Sequence, residues 1–377
     1  MYEIRVTKSI QILAPGSGCT RIARLRPQTG VGIVLPRHAK IGSELPPHPG
    51  DEREMRMKRS RVCALLLAIA AATAPWCGAS AQDHLKVAVG ARGVGETFVA
   101  ELGQDAGIFK KHGLTLDVLY TQGGGETQQV VIANSAQIGV AAGFLGTLGA
   151  YAKGAPIRVI GSTFTGGSQL FWYVPANSPI KSLRDTDGKT VAYSTNGSST
   201  HTAVLALQKS SGAKFKPTQT GAAPATLTQV MSGQIDVGWA GAPFGVDAVE
   251  QGKIRVIAKA SDDPVLDRQT IRLLIANLAE LTQRKDVIVR FMRAYREALD
   301  WVYATPEGLK AYAAWSSINE ATARRALQEF LPKEAVNPDR MSGLDDIVAD
   351  AVTFKYIPAP LTSAQLSELI QIPERKP

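Results

Sequence analysis

The residues best suited to bind a ligand form one run, Ser194-Thr195-Asn196-Gly197-Ser198-Ser199-Thr200. It follows a short apolar stretch and precedes a helical pattern, so it is expected at the start of a helix. A helix N-terminus presents free N–H groups and about half a positive charge, and hydroxyls there add hydrogen bonds. The pattern favours a carboxylate, sulfonate or phosphate ligand. Ordinary N-capping by Ser198 or Ser199 uses the same residues equally well, so both interpretations stay open.

Four further side chains in predicted loops have a binding and a structural interpretation. Arg92 can pair with an anion in a bidentate fork, or can simply be solvated. Glu126 follows Gly123-Gly124-Gly125 and suits the first turn of a helix, but facing inward it would favour an amine or another cation. Trp239 and Phe244 can stack on an organic ligand or pack in the core.

Catalytic machinery is not evident in the sequence. There is no GxSxG, no HExxH and no phosphate-binding P-loop, and Gly123-Gly124-Gly125 lacks the spacing of a dinucleotide fingerprint. His84 and His112 fall at a terminus and at a helix end. His201 is the one histidine near the predicted cleft, where it can sense ligand charge near neutral pH. We therefore expect ligand binding without catalysis, cofactor or metal.

Three pairs of short stretches repeat at a lag of roughly one hundred residues. The matched pairs are Ser135-Ala136-Gln137-Ile138-Gly139-Val140 with Ser232-Gly233-Gln234-Ile235-Asp236-Val237, Ile157-Arg158-Val159-Ile160 with Ile254-Arg255-Val256-Ile257, and Thr121-Gln122-Gly123 with Thr218-Gln219-Thr220. No gap is needed between the matches. Coincidental similarity of α/β segments is the alternative. The repeat predicts two α/β lobes of similar design with a cleft between them.

Strand-like and helix-like segments alternate from Leu85 to Ile160 and again from Leu170 to Ala276. Among them, strands are predicted at 114–120 and 190–193, and helices at 96–109, 144–152 and 199–211. This alternation predicts βαβ units on a mostly parallel sheet in each lobe. From Leu281 onward only helical patterns follow, including an apolar stripe of helical spacing from Val287 to Val302, so this tail is expected to pack back on the first lobe. The chain would then cross between lobes near residues 165–175 and 262–272.

Ligands of parallel α/β lobes bind beyond the carboxyl ends of the strands. The corresponding loops are 90–95, 122–125 and 142–145 in the first lobe, and 194–200 and 239–244 in the second. The candidate ligand-binding residues on these loops are Arg92, Gly93, Gln122, Gly123, Gly124, Ala142, Phe144, Thr195, Asn196, Ser198, Ser199, Trp239 and Phe244. Acidic residues are almost absent from them, which favours an anionic or strongly polar head group.

Most of the formal charge of +9 lies in the first 81 residues, which hold 12 Lys/Arg and 5 Asp/Glu. The remainder has 30 basic and 28 acidic residues, so no basic patch suited to nucleic acid is expected. The three cysteines, Cys19, Cys63 and Cys77, also lie in the leading segment. A body without cysteine has no disulfide or CxxC metal site and suits an oxidising compartment.

Residues 57–81 have the pattern of a cleaved export signal. Lys58, Arg59 and Arg61 form a positive region, 62–74 is an apolar run, and Ala79-Ser80-Ala81 supplies a cleavage site. The apolar run is shorter than the roughly 20 residues of a spanning helix. A membrane anchor or a buried helix is the alternative. Residues 1–56 are Pro- and Arg-rich, and we expect a disordered extension from an over-extended start.

The body resembles the substrate-binding proteins of nitrate/sulfonate/taurine-type ABC importers, which share a domain with thiamine-pyrimidine precursor-binding proteins. The resemblance is carried by GQDAGIFKKHGLTLDVLYTQGGGETQQVVIANSAQIGVA, GKTVAYSTNGSSTHTAVLAL and LTQVMSGQIDVGWAGAPFGVDAVEQG. It covers most of residues 83–275. The family often has an acidic or polar residue before the Pro-Phe pair of the second lobe, where this chain has Ala242-Pro243-Phe244.

The resemblance implies an α/β protein of the type II periplasmic-binding-protein fold, with two lobes, two crossover strands and a cleft that closes on a ligand. The expected boundaries are 82–168 for the first lobe, 169–265 for the second and 266–377 for the return. It implies a periplasmic monomer that delivers a small, anionic organic or inorganic ligand of the sulfonate, carboxylate or nitrate class to an ABC permease and ATPase. A secreted sensor is an alternative. A thiamine-pyrimidine biosynthetic enzyme of the same fold is another, although that group has a cysteine cluster and this body has no cysteine.

Overall fold

The computed structural model describes residues 82–375 of the 377-residue chain. The predicted extension at 1–56 and the predicted signal peptide at 57–81 lie outside the described residues, as do the three cysteines. Among residues 82–375, no helix combines the length and the apolar character needed to cross a bilayer.

A five-stranded sheet in the order β2-β1-β3-β10-β4 forms the first lobe. Its strands are β1 (Asp83–Val89), β2 (Leu114–Tyr120), β3 (Ile138–Gly143), β4 (Ile157–Thr165) and β10 (Thr270–Asn277). The connecting helices are α1 (Val99–Asp105), α2 (Ile108–Lys111), α3 (Gly124–Ile132) and α4 (Phe144–Ala152). β3 is buried along its whole length, as expected of a parallel strand covered on both faces.

The second lobe repeats this arrangement. Its strands are β5 (Leu170–Pro175), β6 (Thr190–Tyr193), β7 (Lys216–Gln219), β8 (Gly238–Gly241) and β9 (Ile254–Lys259), and its helices are α5 (Ser199–Ser211), α6 (Ala223–Met231) and α7 (Val246–Glu250). β8, β5 and β9 form one sheet and β6 pairs with β7. A parallel bridge between Val191 and Val237 joins β6 to the start of β8. The resulting order, β7-β6-β8-β5-β9, is that of the first sheet element by element.

The fourth position of each sheet is held by a crossover strand that runs against its neighbours. β10 is antiparallel to β3 and β4, and β5 is antiparallel to β8 and β9. The remaining pairs β1–β2, β1–β3 and β6–β7 are parallel, as the alternation of strands and helices predicted. A crossover strand enters from the other lobe, at the edge where its neighbours end, so its direction is reversed. We propose lobe boundaries near residues 168 and 265, within these two crossings.

The repeat holds for the elements, but two of its three sequence matches are displaced by two residues. The backbone N–H groups of Ser135 and Gln234 each bond the carbonyl oxygen five residues earlier, so Ser135 corresponds to Gln234 and not to Ser232. Thr121 likewise corresponds to Thr220, since each hydroxyl bonds a threonine six residues further on, at 2.8 and 2.6 Å. A shift of two residues preserves the alternation of a strand, which is why the sequence match looked equally good.

The tail after β10 consists of helices that lie on the first lobe. They are α8 (Leu278–Gln283), α9 (Lys285–Ala304), α10 (Pro306–Ser316), α11 (Glu320–Glu329), α12 (Leu344–Thr353) and α13 (Ser363–Leu369). α9 packs against α1 and α2, α12 against α4, and α13 against β4. The apolar stripe predicted for α9, from Val287 to Val302, is buried as expected of a helix with one core-facing side. The helix α13 was not predicted.

The loop after β1 differs from its prediction in a way that matters for the site. A single helix was predicted from Glu96 to Phe109, but α1 begins only at Val99, and Gly107 (φ 72°) separates it from α2. Glu96 and Thr97 therefore stay in the loop, where both are buried.

Candidate functional site

A small cavity of about 20 Å³ lies between the two lobes, at the carboxyl ends of the parallel strands. The first lobe lines it with Gly90, Ala91, Val94, Thr97, Gly123, Gly124 and Ala141, the second with Ser194, Ser198, Ser199, Thr200 and Trp239, and β10 with Arg272. Its position matches the general rule for open α/β sheets. In this closed arrangement the volume is close to that of a single water molecule.

Arg272 is the charged side chain of the cavity wall. Its side chain is 5% exposed, although guanidinium groups are seldom buried without partners. Nε donates to Ser199 Oγ in the second lobe (2.8 Å), and Nη1 donates to Glu96 Oε2 in the first lobe (3.1 Å). The Nη2 group makes neither of these bonds and has no hydrogen-bond partner among residues 82–375. It is the donor group of this cavity-lining arginine that is left for a ligand.

An irregular stretch of β10 directs Arg272 to this edge. Arg272 pairs with Gly143 of β3 and with Phe164 of β4, and the register shifts at the neighbouring residues Leu273 and Leu274. Between Leu273 and Leu274 the pairing skips Ala141, which is the extra residue of β3 and has a positive φ of 63°, a value that is rare for a residue with a Cβ atom. Bulges and unusual dihedrals of this kind concentrate near functional sites, where they redirect a side chain.

Glu96 lies behind Arg272, outside the cavity wall, with its side chain 1% exposed. Its Oε1 accepts a hydrogen bond from Thr163 Oγ1 (2.8 Å), and its Oε2 accepts one from Gln169 Nε2 (3.1 Å) in addition to that from Arg272. The carboxylate is thus held by three donors from β4, from the first crossing and from β10. A buried guanidinium with such a partner is fixed in position and in charge.

Three hydroxyls form a closed ring on the second-lobe side. Ser194 Oγ, Ser198 Oγ and Thr200 Oγ1 lie 2.8–3.0 Å from one another. Ser198 is also the N-cap of α5, since its hydroxyl accepts a hydrogen bond from the His201 backbone N–H (3.2 Å). The capping interpretation of this residue therefore holds. Since the ring uses each hydroxyl proton once, an incoming anion would have to turn one of these O–H groups toward itself.

Glycines of the first lobe allow the loop 194–198 to approach closely. A Cβ atom on Gly143 or Gly146 would overlap the carbonyl oxygen of Gly197, and one on Gly125 would overlap that of Asn196. Hydrogen bonds cross the same seam, for example from the Gly125 N–H to Thr195 Oγ1 (3.0 Å) and from Gln128 Nε2 to the Gly197 oxygen (3.2 Å). The glycine-rich composition of these loops is therefore explained by contact between lobes.

The structure brings only part of the predicted set to the cavity. Five predicted residues line it: Gly123, Gly124, Ser198, Ser199 and Trp239. Ala142 and Phe144 are buried instead in the apolar cluster beneath α4, Ala142 near the end of β3 and Phe144 as the first residue of α4. The remaining predicted residues, Gly93, Gln122, Thr195, Asn196, Phe244 and Arg92, do not line the cavity.

Arg92 is engaged at the surface of the first lobe. Its side chain is 49% exposed and pairs with Glu101, with Nη2–Oε1 at 3.0 Å. Glu101 Oε2 also accepts hydrogen bonds from Tyr120 Oη (2.5 Å) and Trp315 Nε1 (2.8 Å). Burial alone would raise the pKa of the Glu101 carboxyl, but the bonds from Arg92, Tyr120 and Trp315 outweigh it and hold the pKa below its usual value. Arg92 is therefore paired with the Glu101 carboxylate, away from the cavity.

His201 is partly buried behind the start of α5. Its ring stacks on Tyr193 with the ring centroids 4.3 Å apart, and Nδ1 lies 2.6 Å from Tyr356 Oη of the tail. The backbone N–H of Gly197 donates to the same Nδ1 (3.3 Å). Burial lowers the pKa of His201 to about 4. The imidazole is therefore neutral at pH 7, and the expected sensing of ligand charge near neutral pH does not hold in this structure.

Glu126 lies in the first turn of α3, as predicted for a helix-dipole carboxylate. It is exposed, and its Oε2 accepts a hydrogen bond from the Gln122 backbone N–H (2.6 Å). It does not line the cavity. Within residues 82–375, no cluster of His, Cys, Asp or Glu side chains could hold a metal ion.

Arg272 and Glu96 are the charged residues at the cleft that sequence reasoning missed. A weak signal existed, since Arg272 interrupts the apolar strand Ile271–Ala276. Arg158 and Arg255 interrupt their strands in the same way, yet Arg158 pairs with Glu368 near the surface and Arg255 bonds backbone oxygens of its own lobe. No local sequence pattern distinguishes the three arginines.

The relationships of the chain agree with this architecture. A family model described as NMT1/THI5 like matches residues 99–309. No curated protein matches the sequence. Among solved structures, the alkanesulfonate-binding protein SsuA from Xanthomonas axonopodis pv. citri bound to MOPS is similar with a TM-score of 0.64 and 17% identity, covering 78% of this chain and 100% of that one.

Two further structures have the same fold. The periplasmic aliphatic sulphonate-binding protein SsuA from Escherichia coli gives a TM-score of 0.59 at 18% identity, covering 78% of this chain and 94% of that one. The periplasmic nitrate-binding protein NrtA from Synechocystis PCC 6803 gives 0.60 at 13% identity, with coverages of 77% and 86%. The periplasmic-binding-protein fold predicted above is thereby confirmed, and the chain belongs to the NMT1/THI5-like family.

Proposed function

We propose that the protein is an extracytoplasmic solute-binding protein whose cleft holds one small ligand with an anionic or strongly polar head. The observation that carries the proposal is the buried Arg272, which lines the cavity between the lobes and bonds Ser199 across it. An ionised side chain that is nearly excluded from water is costly to keep, so its retention at a cleft favours a functional role.

The ligand head would lie between Arg272 and the first turn of α5. Nη2 of Arg272 and the hydroxyls of Ser198 and Ser199 are the donors on one side, and the start of α3 at Gly123 and Gly124 is on the other. The indole of Trp239 bounds the cavity where an organic tail would leave it. The cavity is too small for more than a head group, so we propose that the lobes separate at the two crossings to admit the ligand.

Delivery to an ABC permease and ATPase is the role we propose for the loaded protein. The similar structures named above are described as sulfonate- and nitrate-binding proteins, which supports a solute-binding role. We further propose an exported monomer, cleaved before Gln82 and located in the periplasm.

A ligand screen tests the proposal. Thermal unfolding of the purified protein with sulfonates, carboxylates, nitrate, aromatic acids and thiamine precursors should identify a stabilising anion. A ligand at a hundredfold excess over its Kd should stabilise the fold by about 2.7 kcal/mol. Chemical conversion of a bound compound, or stabilisation by cations only, would contradict the proposal.

Substitution of Arg272 locates the site. Arg272→Lys keeps the charge but loses the guanidinium fork, so the affinity for the identified anion should fall by about 1–3 kcal/mol. Arg255→Lys is the matched control, because Arg255 is also a strand arginine with bonds remote from the cavity. Titration calorimetry should show a loss for Arg272→Lys alone. Arg92→Ala and Ser198→Ala, measured in parallel, test the roles predicted from the sequence.

A further inference from the structure

Glu96 holds its neighbours in position and also changes the net charge at the cavity. It is the ion-pair partner of Arg272, and both side chains are almost completely buried. Arg272 is the charged residue in the cavity wall among the residues the structure describes. Without Glu96 the cavity would face a full positive charge at close range and with little water to screen it. With Glu96 the pair is neutral as a unit.

The remaining positive potential comes from two helix starts. α3 and α5 both begin at the cavity wall, at Gly124 and Ser199, and are 9 and 13 residues long. Each N-terminus is equivalent to about half a positive charge. The exposed carboxylate of Glu126 in the first turn of α3 reduces this further. The positive electrostatic potential in the cavity is therefore suited to a ligand that carries about one negative charge.

We propose that Glu96 is a specificity-determining residue: by neutralising Arg272 from behind, it makes the cleft select singly charged head groups and reject doubly charged ones. The inference rests on the proposed function of the cleft. Glu96 does not line the cavity and would not touch the ligand, so its effect is electrostatic. The directional donors, Nη2 of Arg272 and the hydroxyl ring, would still fix the geometry of the head group.

A purely structural role for Glu96 predicts a different outcome. If Glu96 only positioned Arg272, its loss would weaken all anions alike. If it sets the charge, its loss would change the ratio between anions of different charge. Methanesulfonate and sulfate form a suitable pair of probes, because both present a tetrahedral group of oxygens around sulfur but carry one and two charges.

The test compares wild-type protein with Glu96→Gln, a change that keeps the shape of the side chain. The amide has a nearby partner, because Gln169 Oε1 is buried without a hydrogen bond among the described residues and its amide can turn. Wild-type protein should bind methanesulfonate at least about tenfold more tightly than sulfate, and Glu96→Gln should lower that ratio by about tenfold or more. Glu101→Gln is the matched control, since Glu101 also pairs with an arginine but lies outside the cavity wall. It should leave the ratio unchanged.

The outcomes separate the two proposals. An equal loss of affinity for both probes in Glu96→Gln, an unchanged ratio, or a wild-type preference for sulfate would overturn the role of Glu96. Folded wild-type protein that binds neither probe at about 10 mM would instead contradict the anionic head group of the proposed function. At that concentration, binding with a Kd of about 1 mM would be detected easily. If Glu96→Gln fails to fold, the double variant Glu96→Gln/Arg272→Gln removes both charges and should keep the wild-type ratio within about threefold. A lower ratio in that variant would also overturn the proposal.

Discussion

At the scale of single residues, the site is organised around one buried ion pair and one partly buried, neutral histidine. Breaking a buried pair by removing one partner typically costs about 3–5 kcal/mol, because the other charge is left uncompensated. Arg272 and Glu96 are therefore expected to affect stability as well as the binding proposed for them. Affinities of variants at these two positions should be interpreted together with their unfolding free energies.

His201 gives the residue-scale prediction for pH. Its pKa is about 4 in the folded protein and near 6.5 when unfolded, so the unfolded state binds the proton more readily. The stability contributed by the neutral ring is fully present above about pH 6.5 and is lost as the pH falls toward about 4. Between about pH 7 and pH 5 the loss from this residue should be about 1–2 kcal/mol.

The measurement is urea unfolding of wild-type protein and His201→Gln at both pH values. The variant lacks the titrating ring, so its stability should fall less than that of the wild type over this interval. Tyr356→Phe is a useful companion, since it removes the hydroxyl that bonds Nδ1 but keeps the ring. An identical pH dependence of wild type and His201→Gln would show that the histidine is not buried as described.

At the scale of elements, the closed cleft depends on glycines at the positions where helices and loops of the two lobes meet. Gly146 lies within α4, where alanine would be the better helix former by about 1 kcal/mol. Its position against the Gly197 carbonyl oxygen explains why glycine is needed there. The local preference of the helix and the requirement of the seam act in opposite directions.

Gly146→Ala should separate these two effects. The helix should gain stability when the lobes are apart, whereas the added Cβ would collide with Gly197 in the closed form. We expect weaker ligand binding and a larger radius of gyration in solution scattering. Gly233→Ala is the control, because Gly233 has φ +76° and open space around it, so the change should cost about 1–2 kcal/mol of stability and leave closure intact. Unchanged binding in Gly146→Ala would exclude the seam as a requirement for closure.

At the scale of the whole molecule, ion pairs connect the start of β1 to the C-terminal tail. Asp83 forms ion pairs with Arg284 (2.9 Å) and Arg290 (2.5 Å) at the start of α9. The hydrogen bonds from Arg290 and Arg284 lower the pKa of Asp83, outweighing the effect of its burial. The predicted cleavage before Gln82 would leave this connection complete.

A chain beginning at Gln82 should therefore fold like the described protein. Its thermal midpoint should match that of protein purified from the periplasm of a Gram-negative host, and mass spectrometry of the exported protein should give Gln82 as its first residue. Asp83→Asn, in the chain beginning at Gln82, should lower stability by no more than about 1 kcal/mol, because these pairs are part-exposed. Exported protein that retains residues 57–81 would contradict the predicted cleavage.

The order of strands and helices was predictable because it depends on local patterns. Apolar runs, glycine stops and the stripe of α9 each lie within a few turns of chain, and β2, α4, α5 and β6 have the predicted bounds. Similarity between the lobes was also visible, although a strand pattern repeats every two residues and so left the register of Ser135 undetermined. The sequence thus determined that there are two lobes with a cleft between them, and that the cleft lies at the carboxyl ends of the strands.

The content of the cleft was decided by the tertiary structure alone. Glu96 and Arg272 are 176 residues apart in the chain, and they meet because β10 returns to the first sheet in the antiparallel direction. A bulge then turns Arg272 to the cavity, while Arg158 and Arg255, in similar apolar strands, bond elsewhere. Arg92, in a cleft loop by sequence, is held by Glu101 instead. A charge finds its partner through space and not along the chain, so no local pattern could identify the arginine at the site.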